Sequence, residues 1–276
     1  MISLHEVTAV FFAALGTALA TGLGALPFLF VREMSQRYIA LASALAAGFM
    51  IGASIGLGYQ GATHSLYQAA GGVLLGYFGI SLSMRLIDQR SADVDARGDA
   101  GEPAHKHGHA HVHLGVSEID RDVKRPHGMV SVSMRIVLIM TIHSFSEGVG
   151  IGVGWGGGQA FGLLVAIAIG VHNIPEGLAI SVVLISRGES IGRAAWMSIV
   201  SSLPQPLMAV PAFIFVEEFS SLLPWGLGFA AGAMLWMTFT DLLPDAVAGA
   251  GMRLTAATAL TAALAMVVFQ IALLPK

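Results

Sequence analysis

Two short strings in this 276-residue chain place metal-binding side chain types at helical spacing. They are HSFSEG at 143–148 and HNIPEG at 172–177. In each string a His precedes a Glu by four residues, so both side chains project from one face of a helix. Both strings lie in apolar stretches, where ionisable groups are costly and usually face a cavity, a partner or an ion. The strings therefore indicate a metal site inside a membrane.

The candidate site consists of two imidazoles and two carboxylates, which belong to His143, Glu147, His172 and Glu176. Only the short break GWGGGQ separates the two apolar stretches, so we expect their helices to be antiparallel neighbours. This ligand set suits zinc or another first-row divalent ion better than calcium or magnesium, which prefer oxygen shells. The carboxylates would also balance a divalent charge in a medium of low dielectric constant. The alternative is a set of interhelical hydrogen bonds without an ion.

Residues within and beside the strings add to this prediction. Pro175 removes the hydrogen bond to the carbonyl of Val171 and bends the helix, which frees backbone oxygen to line a cavity. Asn173 is a candidate additional ligand. Gly148 and Gly177 follow the two glutamates and permit close approach of a neighbouring helix.

The composition predicts a chain that crosses a membrane several times. Hydrophobic residues make up 55% and charged residues 11%, with a mean hydropathy of +0.75, whereas a soluble domain carries about 25% charged residues. The absence of cysteine excludes disulfides and thiolate metal sites. A helix needs about 20 apolar residues to cross a bilayer. Eight transmembrane helices are predicted on this basis, at 7–31, 38–58, 66–87, 132–154, 160–186, 194–216, 225–246 and 254–274.

The distribution of basic residues predicts an orientation. Of the 14 lysines and arginines, all but Lys276 lie in or beside alternate breaks between the predicted spans. The positive-inside rule makes those breaks cytoplasmic and places both termini outside. We therefore expect an integral membrane protein of the cell (inner) membrane, surrounded by the lipid bilayer and without a nucleic acid partner. The sequence allows a homodimer without indicating one.

Three regions follow from the spans. Residues 1–87 form transmembrane helices one to three, residues 88–130 form a cytoplasmic His-rich loop, and residues 131–276 form helices four to eight with the candidate site. The loop is charged and poor in apolar residues, which predicts flexibility. Its HKHGHAHVH tract can bind zinc weakly, and a dispensable linker is the alternative. The tract's histidines are His105, His107, His109, His111 and His113.

The chain resembles the ZIP (Zrt/Irt-like protein) family of divalent metal transporters. HNIPEG after an apolar run in span five is similar to the family signature, and the His-rich loop between spans three and four also fits the family. The resemblance implies an all-α integral membrane fold, with inverted three-helix repeats around the central pair of spans four and five. It also implies import of Zn²⁺, and often of Fe²⁺, Mn²⁺ or Cd²⁺, into the cytosol by alternating access.

The resemblance implies the same four ligands, with Asn173 at a second polar ligand position in span five. Met50 in span two resembles a family position that can add a thioether contact, and an ordinary packing Met is the alternative. Gln205, in the span-six string SSLPQPLMAVP, is a further candidate ligand without charge and stands where many members have Glu. Ser144 and Ser146 stand where many relatives have Asn and Pro. Because such a site offers fewer anionic oxygens than a site for two ions, we expect one tightly held ion.

Two other classes of function stay open at this point. One is an intramembrane metalloenzyme that uses a zinc-bound water, and the other is a metal sensor that binds ions without moving them. The enzyme would need an open coordination position and a dedicated general base, and the sequence contains no H-E-x-x-H string. We therefore expect a transporter rather than an enzyme.

Overall fold

The computed structural model describes residues 2–31, 35–98 and 129–273, and these residues form only helices and their connections. The nine α-helices of this part of the chain are α1 (Leu4–Leu23), α2 (Gln36–Gly98), α3 (Met129–Gly156), α4 (Gln159–Ser186), α5 (Ile191–Ser202), α6 (Pro204–Glu218), α7 (Leu223–Met237), α8 (Leu243–Ala250) and α9 (Met252–Leu273). A π-helical turn, Thr238–Leu242, joins α7 to α8. Most of the predicted loop at 88–130, including the five-histidine tract, lies outside the described residues.

The described residues confirm the all-α prediction and contain helical runs of membrane-spanning length. Among the described residues, six runs are long and apolar enough to cross a bilayer. They are Leu4–Leu29, Gln36–Leu86, Gln159–Ser186, Ile191–Glu218, Ser220–Ala250 and Met252–Ala272. The predicted spans two and three both fall on the second run, and the predicted span four falls on α3. The count of eight spans stays a prediction.

The connection predicted at 59–65 is helical in the structure until its last residue. At Ser65 the backbone leaves the helical region, with φ −162° and ψ 109°. The Ser65 hydroxyl accepts a hydrogen bond from the backbone N–H of Gln68 at 3.4 Å, as an N-cap does at the start of a helix. α2 is therefore two helical arms, 36–64 and 66–98, that meet at a capped kink.

The helices pack as two groups that share a contact surface. In the first group, α1, α5 and α6 pack around α3 and α4, and in the second group α2 packs along α7, α8 and α9. The groups meet where α4 contacts α2 and where α3 contacts α7. Small residues bring the backbones together within the second group, since a Cβ on Gly228 or Gly232 of α7 would collide with the α2 backbone.

The glycines that follow the two glutamates have the predicted role of close approach. A Cβ on Gly177 of α4 would collide with the backbone carbonyl of Thr21 in α1. A Cβ on Gly148 of α3 would lie 2.5 Å from the backbone carbonyl oxygen of Gln205 in α6. In both places one backbone packs directly on another, which only glycine permits. The turns of α3 and α4 that carry the strings are therefore held by α6 and α1.

We expect Gly177→Ala to destabilise the protein by about 1–3 kcal/mol, the usual cost of overpacking a filled core. Gly170→Ala is the matched control on the same helix, because its Cβ would meet Thr17 atoms at ordinary distances of 3.7 and 3.9 Å. Thermal unfolding of the purified protein in detergent measures both variants. Equal unfolding midpoints would show that α1 and α4 are not tightly packed at Gly177.

Candidate metal centre

The structure brings the four predicted side chains together in one buried cluster. His143 and Glu147 lie one turn apart on α3, and His172 and Glu176 lie one turn apart on α4. One potential ligand atom from each side chain lies within 4.8 Å of those of the other three, and all four residues are buried. The two His/Glu pairs therefore face each other across the contact between α3 and α4.

The Oε1 atom of Glu147 lies between the two imidazoles. It is 3.3 Å from the Nε2 of His143 and 3.0 Å from the Nε2 of His172. The two Nε2 atoms are 3.5 Å apart, and the Oε2 of Glu176 lies 3.7 Å from the Nε2 of His172. Ligand atoms that share one tetrahedral zinc ion at about 2.0–2.2 Å lie roughly 3.3–3.6 Å from one another. The cluster is thus close to the size that one such ion requires.

Hydrogen bonds within the cluster leave buried polar atoms unsatisfied. Both carboxylate oxygens of Glu176 are buried, and neither has a hydrogen-bond partner among the described residues. Buried polar atoms are normally paired, and a buried carboxylate without a partner is strongly unfavourable. A cation among these four side chains would satisfy them. The geometry therefore favours a metal site over the alternative of closed interhelical hydrogen bonds.

Asn173 and Gln205 form a buried hydrogen-bonded chain that ends on Glu147. The Nδ2 of Asn173 donates to the backbone carbonyl of Thr17 at 2.9 Å and to the Oε1 of Gln205 at 3.2 Å. The Nε2 of Gln205 then donates to the Oε2 of Glu147 at 2.5 Å. Gln205 is therefore a hydrogen-bond partner of a candidate ligand. Asn173 Oδ1 has no partner within the described part of the chain, so it is the atom that Asn173 can offer to an ion.

The remaining predicted residues, Met50, Ser144 and Ser146, are fully buried. Met50 is fully buried on α2, and its Sδ lies 3.6 Å from the Oγ1 of Thr238 in the π-helical turn. The Oγ of Ser146 donates to the carbonyl of His143 at 2.8 Å. The Oγ of Ser144 is buried without a hydrogen-bond partner in the described residues. A ligand role for Met50 stays a prediction.

Thr17 on α1 is the residue near the cluster that sequence reasoning missed. Its carbonyl accepts from Asn173, and its hydroxyl lies 2.5 Å from the Oε1 of Gln205. The available signal was weak. Thr17 and Thr21 lie four residues apart, and so share a face of a largely apolar helix.

The fold and the cluster together define a class of protein, an all-helical integral membrane protein with a buried group of side chains able to hold a metal ion. Comparison with known proteins narrows this class. The profile of the ZIP zinc transporters matches residues 83–270, a range that includes both His/Glu strings. The chain belongs to the ZIP zinc transporter family.

Individual relatives agree with this assignment. An Arabidopsis thaliana protein provisionally named a zinc transporter is 40% identical over 242 residues, which cover 87% of this chain and 35% of that protein. The zinc transporter GufA of Myxococcus xanthus is 33% identical over 88 residues, covering 32% of this chain and 35% of GufA. The zinc transporter ZupT of Lysinibacillus sphaericus is 28% identical over 278 residues, covering 87% and 88%. The chain spans about a third of the length of the first two relatives.

We expect Glu176→Gln to weaken Zn²⁺ binding about 100-fold, since changes around a metal ion cost 10–100-fold even beyond its direct ligands. Glu189→Gln is the matched control, because it makes the same chemical change at a surface ion pair, 2.8 Å from Arg193. Competition against a fluorescent zinc chelator measures the affinity of the purified proteins. Wild-type affinity in Glu176→Gln would contradict the assignment of this carboxylate to the cluster's ion.

Proposed function

We propose that this protein transports divalent metal ions, Zn²⁺ first among them, across the membrane into the cytosol by alternating access through the His/Glu cluster. The observation that carries the proposal is the convergence of two imidazoles and two carboxylates inside an apolar helical fold. This donor set suits zinc and its first-row neighbours. The relatives are named as zinc transporters, one of them provisionally, and these names support the same activity. Fe²⁺, Mn²⁺ and Cd²⁺ are the further candidate substrates.

In this proposal the transported ion is held by His143, Glu147, His172 and Glu176. Asn173 Oδ1, the thioether of Met50 or a water molecule completes its shell. The two carboxylates offset the charge of one divalent ion, which matters in a layer of low dielectric constant. Gln205 supports the site by donating to Glu147.

The proposed topology has eight transmembrane helices. The two arms of α2 supply spans two and three, α3 supplies span four, and the inverted three-helix repeats surround α3 and α4. Residues 1–87 and 131–276 form the membrane part, and residues 88–130 form a loop on the cytoplasmic side. Both termini then lie outside, because the basic residues lie on the side that the positive-inside rule makes cytoplasmic. The membrane in this proposal is the cell (inner) membrane.

A transporter would move metal ions across the membrane, which neither a metalloenzyme nor a sensor would do. Family membership favours transport over both alternatives. Uptake of metal into liposomes that contain the purified protein, without hydrolytic activity, is the distinguishing measurement. Metal binding without uptake would favour the sensor, and hydrolysis without uptake would favour the enzyme.

We expect Glu176→Ala to abolish saturable Zn²⁺ uptake into such proteoliposomes, because the variant loses a buried charge that faces the ion. His172→Ala should cost nearly as much, since its Nε2 contacts the Oε1 of Glu147 at 3.0 Å. A zinc-sensitive dye inside the vesicles measures the flux, and Glu189→Ala at the surface serves as the control. Normal uptake by Glu176→Ala would refute the site as the transport pathway.

The charge of the cluster indicates one ion rather than two. Glu147 and Glu176 together balance a single divalent cation. A second ion about 4 Å away would leave two positive charges uncompensated, each costing several kcal/mol in a layer of low dielectric constant. The Nε2 of Gln205 also donates to the Oε2 of Glu147, and this N–H stands where a second cation would need to reach that oxygen.

Gln205→Glu should make a second ion detectable. The new carboxylate would face Glu147 where an amide N–H now donates at 2.5 Å, and two adjacent carboxylates need a shared cation or proton. Anomalous diffraction at the zinc edge counts the ions in both proteins. Two fully occupied peaks between α3 and α4 in the unmodified protein would contradict the single-ion site.

A further inference from the structure

The direction of the Asn173 carboxamide is fixed by the backbone of α1. Its Nδ2 lies 2.9 Å from the carbonyl oxygen of Thr17. A backbone carbonyl can only accept a hydrogen bond, so the amide nitrogen of Asn173, not its oxygen, must face Thr17. The assignment of nitrogen and oxygen in this side chain therefore follows from its surroundings.

The direction of the Gln205 carboxamide follows in turn. Its Oε1 accepts from the Nδ2 of Asn173 at 3.2 Å. The Thr17 hydroxyl lies 2.5 Å from the same oxygen and 2.7 Å from the carbonyl of Ala14, so its one hydrogen is shared between two acceptors. Reversing the amide would place two N–H donors together and bring its oxygen against the Oε2 of Glu147. Only the observed direction satisfies all of these groups.

The chain of hydrogen bonds divides the two oxygens of Glu147 between different partners. The Oε1 faces the imidazoles of His143 and His172, and the Oε2 is held by Gln205. Thr17, Asn173, Gln205 and Glu147 are all buried, between 0% and 3% exposed. Bulk water therefore cannot replace a lost hydrogen-bond partner, and the loss of a partner would be costly for each of these buried groups.

We propose that the Thr17 hydroxyl, acting through Gln205, withholds Oε2 of Glu147 from the transported ion and so favours Zn²⁺ over ions such as Mn²⁺ that take more oxygen ligands. The inference rests on the transport site proposed above. A carboxylate that offers one oxygen suits the small shell of zinc, which has four ligands and can expand to five. Manganese prefers octahedral coordination by oxygen, which a carboxylate with two free oxygens serves better. Thr17 is thus a positioning residue that sets metal preference without touching the metal.

The test is the ratio of Mn²⁺ to Zn²⁺ affinity in the purified full-length protein. Thr17→Val removes the hydroxyl and keeps the shape, and we expect it to raise this ratio about fivefold, as the loss of one buried hydrogen bond allows. Thr17→Ser restores the hydroxyl and should restore the ratio. Zinc-edge X-ray absorption should show a higher mean number of oxygen neighbours in Thr17→Val.

Thr21→Val is the matched control. Thr21 lies one turn further along α1, is equally buried, and its hydroxyl lies 2.9 Å from that of Ser202. This pair takes no part in the hydrogen bonds that lead to Glu147. The ratio of Mn²⁺ to Zn²⁺ affinity should therefore stay within about twofold of wild type. An unchanged ratio in folded Thr17→Val, or an equal change in Thr21→Val, would overturn the proposal. Gln205→Met gives a second test, because it removes the amide and should shift the ratio in the same direction.

The two proposals fail in different ways. Wild-type protein that neither binds nor transports zinc would refute the transport site itself. Wild-type protein that binds and transports zinc, with the same metal ratio in Thr17→Val and Gln205→Met, would refute the positioning role alone.

Discussion

Two carboxylates buried in an apolar helical fold impose the main constraint on this protein. Glu147 and Glu176 are at most 3% exposed, and a carboxylate without water must meet positive charge or strong donors. The two imidazoles and the amide of Gln205 supply part of this need. The oxygens of Glu176 have no hydrogen-bond partner among the described residues, so these groups do not supply all of it. The helices around α3 and α4 hold these groups at distances that a divalent ion could satisfy.

The precision of the cluster depends on helices that do not themselves provide the four ligands. α1 packs its backbone on Gly177, and α6 packs its backbone on Gly148. Each of these glycines directly follows one of the glutamates, so the backbone beside each carboxylate is fixed by a neighbouring helix rather than by flexible side chains. The hydrogen bonds from Thr17 through Gln205 then fix the side chain of Glu147 as well. Contacts between helix backbones fix the positions of the two glutamates, and the side-chain amides fix the direction of the Glu147 carboxylate.

Periodicity made much of this structure predictable. The i, i+4 pairs and the short GWGGGQ break were enough to predict that His143, Glu147, His172 and Glu176 converge, because both features are local. The sequence predicts a connection at 59–65 rather than a kink, since the polar string YQGATHS at these positions is typical of a connection between helices. Thr17 could not be identified, because its contact with Gln205 joins residues 188 positions apart. Contacts of this kind depend on how helices pack, which composition and spacing do not determine.

A carrier must bind its cargo and also release it, and the charge of the proposed site bears on both. Two carboxylates and one divalent ion form a neutral group, whereas a third carboxylate would leave an excess negative charge that holds the ion more strongly. The neutral amide at Gln205 avoids this excess while still pairing Glu147 through a hydrogen bond. In the proposed site the same amide keeps one oxygen of Glu147 from the ion, which would limit the number of bonds that must break on release. In the proposed mechanism, metal preference and ease of release therefore have a common origin in the direction of one side-chain amide.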